Sequence, residues 1–377
     1  MVAFSLGIAV SGFFAGLKVD EISLFQKNSN PELPADLSYE SVERVYDALR
    51  QNYDGELTEQ QILDGIKSGL AQSTNDPYTV YLNQEQAKQF NDDLNGTFSG
   101  IGAEIGKRND AIIIISPLEG FPAKEAGLRA NDVVLKIDDE ETFGLDVHEA
   151  VLKIRGAVGS TVTLTILRAD KQLEIPIERQ KIVVPSVTSE VIDGIGYLQI
   201  SRFAEDTVRL AREATEAYVD QGIDKVILDM RNNSGGYLEA AVDIAGLWLN
   251  NEVVVEQREA GGKVVTERLR SGSSALLKNT ETVILINEGS ASASEIVAGA
   301  LKDYGVGELV GQTTFGKGSV QSLENFADGS VLKVTIAKWF TPFGDSIDEQ
   351  GIQPDFEVEL SERDYNQGRD PQLDKAK

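Results

Sequence analysis

The sequence predicts a multidomain α/β protein with a helical N-terminal segment, a strand-rich module carrying short helices, and a layered α/β core. Three observations lead there. A chain of 377 residues exceeds the roughly 250–300 residues that one hydrophobic core usually organises. From Gly96 short β-like runs alternate with glycine turns. After residue 183 strands and helices follow one another in turn, the pattern of a layered sheet.

Met1 to Leu17 carries no charge and is rich in Gly, Ala and Phe, with Lys18 and Asp20 closing it. Residues 1–22 therefore read as a membrane anchor or signal segment, which predicts an extracytoplasmic location (periplasm or cell envelope) with anchoring at residues 1–17. The stretch is shorter than the about 20 apolar residues that span a bilayer, and a short buried helix is the alternative. Over residues 23–94, Val42, Val45, Tyr46 and Leu49 recur at helical spacing, Ile62, Ile66 and Leu70 repeat the pattern, and Asn75-Asp76-Pro77 ends it in a turn. This predicts a helical packing or dimerisation domain, the source of any homo-oligomer.

Residues 95–182 form the strand-rich module. Its strands are expected at Ala111 to Ser116, Asp132 to Asp138, Thr161 to Leu167 and Leu173 to Ile177, with a helix from Val147 to Arg155. The run Phe98-Ser99-Gly100-Ile101-Gly102 resembles the carboxylate-binding loop of PDZ domains, and Ala126-Gly127-Leu128 followed by Asn131-Asp132-Val133-Val134 extends the likeness. Glycines there let backbone N–H groups turn toward a terminal carboxylate while an open strand edge accepts the peptide as an added strand. Taken alone, the same glycines make an ordinary tight turn.

The core is expected over residues 183–360, with strands at Ile195 to Ile200, Lys225 to Asp229 and Thr282 to Ile286 and helices at Ala204 to Val219 and Leu238 to Leu249. Residues 361–377 read as a polar tail. In such cores, sites collect where strands end and loops lead into helices.

Composition narrows the chemistry. With 35 basic against 61 acidic residues the net charge is −26, which repels phosphate backbones and argues against nucleic acid as a partner. There is no cysteine and only one histidine, His148, so thiol nucleophiles, disulfides and multi-histidine zinc sites are excluded. His148 falls in the module's helix and reads as a solvated residue without a part in the chemistry. Any acyl transfer here needs another base.

Three loops carry candidate chemistry. Asp229-Met230-Arg231-Asn232-Asn233-Ser234-Gly235-Gly236 leads from a strand into a helix, and its paired glycines either form a capped turn or expose N–H groups as an oxyanion hole. Asn287-Glu288-Gly289-Ser290-Ala291-Ser292-Ala293-Ser294-Glu295 puts Ser292 at a helix start. Ser292 with Glu295 three residues on matches a capping box, yet the helix dipole and the Ala293 N–H also suit a nucleophile. Capping and catalysis compete for one oxygen, and only geometry decides between them. The third loop, Phe315-Gly316-Lys317-Gly318-Ser319-Val320-Gln321, imitates a phosphate-binding loop from Gly311 to Lys317, but Gly318 stands where Ser or Thr must hold magnesium and a strand follows instead of a helix. Lys317 as a base has to be neutral. Its pKa must fall from about 10.4 towards 7, roughly 4 to 5 kcal/mol at 1.36 per unit. Desolvation is the expected source, in a pocket kept free of Asp and Glu, and Gln321 can orient the amine without charging it.

In this order, and closed by Thr341-Pro342 and Gly351-Ile352-Gln353-Pro354-Asp355, the motifs resemble the C-terminal processing peptidases, or tail-specific proteases, from about Asp76 to Val358. The resemblance implies a PDZ domain, a crotonase/ClpP-like α/β core, and a serine endopeptidase with no metal or organic cofactor. Its partners would be protein substrates engaged by their C-termini. It implies Ser292 as nucleophile, Lys317 as base, Gln321 as the residue orienting that base, Gly236 and Ala293 as oxyanion donors, Gly100-Ile101-Gly102 as the peptide-binding loop, and Arg155 as a regulatory residue. Trp339 stands where Tyr is common and Asp348 where His is frequent, and neither is expected to touch the dyad. A catalytically silent PDZ scaffold and a small-ligand carrier on the same core are the competing readings.

Overall fold

The computed structural model describes residues 38–377 apart from residues 109, 260–263, 362 and 365–366. The expected anchor or signal segment, residues 1–22, lies outside the described residues. Among those described, no helix is long and apolar enough to cross a membrane.

The described residues divide into two units at Leu63 and Asp64. In the first, the helix Tyr39–Asn52 buries none of its residues, and Val42, Val45 and Leu49 lie exposed along it.

In the larger unit a six-stranded sheet forms the core, in the spatial order Val187–Ile192, Ile195–Ile200, Lys225–Asp229, Glu281–Ile286, Gly307–Gly311, Phe356–Glu357. Only the first pair is antiparallel; the rest run parallel. Parallel strands covered on both faces read as continuous apolar runs, as Val226-Ile227-Leu228 does. Alternation along the strand then sorts the residues. Val226 and Leu228 pack in the main core with residues of the helices Thr207–Asp220, Leu238–Ala245 and Ala293–Asp303, while Ile227, Leu285 and Val310 face the other way and pack with Leu373 and Ala376.

That second layer corrects the expected polar tail. The helix Pro371–Ala376 docks on the sheet, with Gln372 fully buried and Asp370 capping its start through the Leu373 N–H at 2.9 Å. Composition alone hid it, because a single buried amide and two apolar contacts suffice to seat so short a helix.

A five-stranded sheet joins Val331–Phe340 to Ser319–Asn325 on one side and, on the other, to Val80–Leu82 and Val253–Arg258, with Val265–Arg270 beyond the latter. Val80–Leu82 falls inside the region expected to be helical; the helices there are Tyr39–Asn52, Glu59–Gln72 and Gln84–Leu94. Three residues are too few to show a period, and their strand exists only because Val331 to Lys333 pairs with them in antiparallel register.

The module's own sheet runs Ala103–Arg108, Ala111–Pro117, Val133–Ile137, Thr161–Arg168, Lys171–Glu178, with Glu140–Glu141 paired to the middle strand. Its helix Val147–Ile154, which contains His148, starts at a capping box: Glu149 N–H donates to Asp146 Oδ1 at 2.8 Å, and Asp146 N–H donates to Glu149 Oε2 at 2.9 Å. A two-stranded ribbon, Thr97–Gly100 with Gln180–Val183, ties the module's entry to its exit.

Ile284 is fully buried at the centre of the parallel sheet. Ile284→Ala is expected to lower unfolding stability by about 2–5 kcal/mol, read as a shifted urea midpoint with an unchanged slope.

Candidate active site

The three loops singled out by sequence leave the carboxyl ends of three neighbouring parallel strands, Lys225–Asp229, Glu281–Ile286 and Gly307–Gly311. Hydrogen bonds stitch the first two together. Ala291 N–H and Ser294 Oγ both donate to the Asn233 carbonyl, at 2.9 and 2.8 Å. Ser290 Oγ donates to the Met230 carbonyl at 2.8 Å, and Asn287 exchanges hydrogen bonds with Asn232. Asn233 also organises its own turn, accepting from Gly235 N–H at 2.9 Å and donating to the Ile200 carbonyl at 2.7 Å.

Ser292 sits at the start of the helix Ala293–Asp303 with φ 55° and ψ −112°, a left-handed backbone that costs energy for any residue but glycine. Ser292 and Glu295 have the layout of a capping box, but the hydrogen bond of proper geometry is Glu295's: Ser292 N–H donates to Glu295 Oε2 at 2.7 Å, and the serine side chain makes no capping bond. The cap therefore holds the serine's backbone more firmly than its hydroxyl, which faces the Glu295 N–H without a hydrogen bond of full geometry. The glycine pair of the first loop packs directly on this elbow, since a Cβ at Gly235 would lie 2.9 Å from Ser292 Cβ. Gly236 has φ +145°, and a Cβ there would lie 2.0 Å from the Phe203 carbonyl oxygen. Only glycine fits. Neither Gly236 N–H nor Ala293 N–H donates to an acceptor among the described residues, so both remain available beside Ser292.

Glu295 is fully buried and takes four hydrogen bonds. Its Oε2 accepts from Ser292 N–H at 2.7 Å and Lys317 N–H at 3.0 Å, and its Oε1 from Thr314 Oγ1 at 2.6 Å and Gly316 N–H at 2.7 Å. One carboxylate thus fixes the serine's backbone to the lysine's. Sequence reasoning treated Glu295 only as a capping partner, although an acid within Ala293-Ser294-Glu295-Ile296-Val297, all buried, was itself the signal.

Lys317 is half-buried, with Nζ 5.1 Å from the Tyr78 ring centroid, and no hydrogen bond joins it to Ser292 Oγ. Burial pushes its ammonium below the ordinary lysine value and the charge of Lys333 adds to this, while the Glu295 and Asp76 carboxylates oppose it. The pocket expected to lack Asp and Glu therefore contains both. Each is occupied by other donors, Glu295 by its four and Asp76 by Thr79 Oγ1 at 2.6 Å and Tyr78 N–H at 3.1 Å, so desolvation still prevails. Gln321 does not reach Lys317; its amide donates to Ser319 Oγ at 2.8 Å and Thr335 Oγ1 at 3.4 Å. Trp339, expected to stand clear of the dyad, holds the lysine loop: Nε1 donates to the Lys317 carbonyl at 2.9 Å and its N–H to the Gly318 carbonyl at 2.9 Å. Asp348 ion-pairs with Lys338.

In the module, Ala103–Arg108 is a sheet edge beside the helix Val147–Ile154. The Gly100-Ile101-Gly102 turn just before it is anchored by carbonyls, Ile101 accepting from Ala123 N–H at 2.7 Å and Gly102 from Leu118 N–H at 2.9 Å. The Ile101 and Gly102 N–H groups have no acceptor among the described residues, which suits a carboxylate. Arg155 caps the helix at its end, with its guanidinium 4.8 Å from the Phe98 ring centroid and 3.6 Å from Asp93, across from the module's closing ribbon.

Comparison with known proteins places the chain by sequence and fold. A model of peptidase family S41 matches residues 194–358, a PDZ domain model residues 99–178, and a model of the N-terminal domain of the activating protease CtpB residues 7–86. A probable CtpA-like serine protease of Staphylococcus aureus (strain MRSA252) is 38% identical over 340 residues, covering 90% of this chain and 68% of that protein. The carboxy-terminal processing protease CtpA of Bacillus subtilis (strain 168) is 35% identical over 334 residues, covering 86% and 70%. The chain spans about two thirds of the length of these curated relatives, 64% of that of a third, from S. aureus strain RF122 / ET3-1. Among solved structures, the photosystem II D1 C-terminal processing protease superposes with a TM-score of 0.53 at 27% identity, covering 86% of this chain and 87% of that one. A putative S41 protease from Bacteroides fragilis NCTC 9343, with a TM-score of 0.57 at 18% identity over 88% and 92%, shares the fold.

The chain therefore carries a PDZ domain and belongs to peptidase family S41, a family of serine peptidases. Within that family it falls among the carboxy-terminal processing proteases.

Glu295→Gln is expected to destabilise the protein by about 1–3 kcal/mol for each N–H left facing the new amide nitrogen, measured by urea unfolding, and to lower turnover at least about 100-fold. Wild-type turnover in that variant would show that the carboxylate does not hold the site.

Proposed function

We propose that the chain is a serine endopeptidase that captures the C-terminal end of a protein substrate on its PDZ domain and cleaves with a Ser292–Lys317 dyad. The observation that carries this reading is the pair of unused N–H groups, Gly236 and Ala293, flanking a strained serine whose backbone shares one carboxylate with Lys317.

In the reaction, Ser292 Oγ attacks the scissile carbonyl carbon as its proton passes to neutral Lys317 Nζ. The carbonyl oxygen becomes an oxyanion between the Gly236 and Ala293 N–H groups and the positive end of the helix Ala293–Asp303. Collapse expels the amine, which takes the proton from Lys317, and leaves an acyl ester on Ser292. Water, giving up a proton to the same nitrogen, then hydrolyses that ester. The step requires the Lys317 amine to leave the Tyr78 ring for Ser292 Oγ, and Gln321 to exchange Ser319 and Thr335 for the lysine.

Substrate arrival supplies the trigger in this reading. A peptide adding to the edge Ala103–Arg108, its carboxylate on the Ile101 and Gly102 N–H groups, presses on the helix that ends at Arg155. The contacts of Arg155 with Asp93 and Phe98 then link peptide binding to the body of the protein. The uncharged segment 1–17 supports work outside the cytoplasm with the N-terminus at a membrane, and the exposed apolar face of Tyr39–Asn52 supports a homo-oligomer.

An unstructured protein substrate with an apolar C-terminus tests the assignment. Wild type should cleave it, and Ser292→Ala and Lys317→Ala should each lower kcat by about 10⁴ or more. Intact binding without cleavage between about pH 6 and 10 would instead make the chain a silent PDZ scaffold.

The activity should rise with pH as Lys317 loses its proton. Lys333 disfavours that proton, so removing its charge lets the Lys317 pKa climb back. Lys333→Met is thus expected to move the ascending limb of the kcat/KM profile to higher pH, and a shift to lower pH would contradict the electrostatics.

A further inference from the structure

Asp229 ends the strand that feeds the Gly236 loop, and it is fully buried. Its carboxylate accepts from Tyr197 Oη at 2.6 Å, from Arg231 N–H at 2.9 Å, and from the Arg231 guanidinium at 2.6 to 3.0 Å. The guanidinium is itself nearly buried and has a second set of partners on the far side. Arg231 Nη1 donates to Asp370 Oδ1 and to Gln372 Oε1, both at 2.9 Å, and Nη2 lies 2.9 Å from Asp370 Oδ2. Gln372 in turn donates to the Val358 carbonyl at 2.8 Å. An arginine cannot shed its charge on burial, so it is held only where carboxylates meet it on both sides. Here burial acts against the charge, and Asp229 and Asp370 overcome it, raising the guanidinium above its ordinary range.

None of these groups touches the reacting atoms, yet Arg231 is the residue from which the turn departs. Asn232 follows at φ 57°, Asn233 pins the loop to Ala291 and Ser294, and Gly236 comes five residues after Arg231. Arg231 thus stands at the start of the turn that ends at Gly236.

We propose that Asp370 and Gln372 are positioning residues for the oxyanion loop: by gripping the outer side of the Arg231 guanidinium, they fix the origin of the turn that aims the Gly236 N–H at the reacting carbonyl. The inference rests on the reading of Gly236 as an oxyanion donor. A misdirected N–H weakens the bond that is strongest in the transition state, so turnover falls while substrate capture on the PDZ domain is spared.

The test compares Asp370→Asn, Gln372→Ala and the conservative Asp370→Glu with Leu373→Ala, which trims an apolar contact of the same helix with the sheet while leaving the Asp370 cap and both side chains that hold Arg231 in place. For each variant, kcat and KM on a soluble peptide, the melting temperature, and amide exchange at Gly235 and Gly236 are measured, the exchange also in a Ser292→Ala background. Asp370→Asn and Gln372→Ala should lose about 10- to 100-fold in kcat with KM within about twofold, and should exchange faster at both glycines. Asp370→Glu should recover part of kcat, and Leu373→Ala should melt earlier with kcat unchanged. Wild-type kcat in Asp370→Asn, or an equal loss of kcat in Leu373→Ala, would reduce the segment to a structural cover. A wild-type protein that cleaves nothing would sink the peptidase reading instead, and the exchange measurement alone would then decide the clamp: unaltered exchange in Asp370→Asn overturns it.

Discussion

A carboxylate taken out of water needs donors for both its oxygens, and Glu295 finds them in two loops that are distant in sequence. Ser292 N–H and Lys317 N–H share one oxygen, and Thr314 and Gly316 share the other. Together the four bonds satisfy the acid and tie the two loops to each other. The positions of the proposed nucleophile and base thus follow from solvating one buried charge with protein dipoles. The strained backbone at Ser292 persists for the same reason, since its N–H is locked from one side while the Gly235-Gly236 turn packs against it from the other.

This frame separates what is rigid from what moves. The backbone of all three loops is tied down by Asn233, Asn287, Ser290 and Trp339 as well as by Glu295, whereas the Lys317 amine rests on Tyr78 and Gln321 on Ser319 and Thr335. The loop backbones are thus fixed, while the two side chains proposed as base and orienter are held away from Ser292 by other partners. Such a division suits a protease whose PDZ domain must be occupied before the dyad closes, because turning a side chain costs far less than rebuilding a loop. The electrostatics fit the same design. In a chain of net charge −26, the lysine feels the charge of a second lysine, Lys333, and the nearby acids are consumed by other donors.

Much of this was legible in the linear sequence. The strands Ile195–Ile200 and Lys225–Asp229 stand where apolar runs place them, and the helix Val147–Ile154 where Asp146 and Glu149 cap it. The glycine pair, the serine and the lysine announced themselves by their loops. Val80–Leu82 did not, nor did the docked helix Pro371–Ala376, since each takes its conformation from partners far along the chain.

By itself the sequence determined which chemistry was available: no thiol, a lone histidine, and a serine and a lysine at strand ends of an α/β core. That Gly236 has to be glycine follows only from its φ of +145° and the Phe203 carbonyl packed beside it. Only the tertiary structure decided that Glu295 joins the two loops, that Trp339 holds the lysine's carbonyl, and that Asp370 reaches Arg231. Residue types and local spacing encode what a side chain can donate or accept. Which group meets it is settled only when burial removes water as the alternative partner.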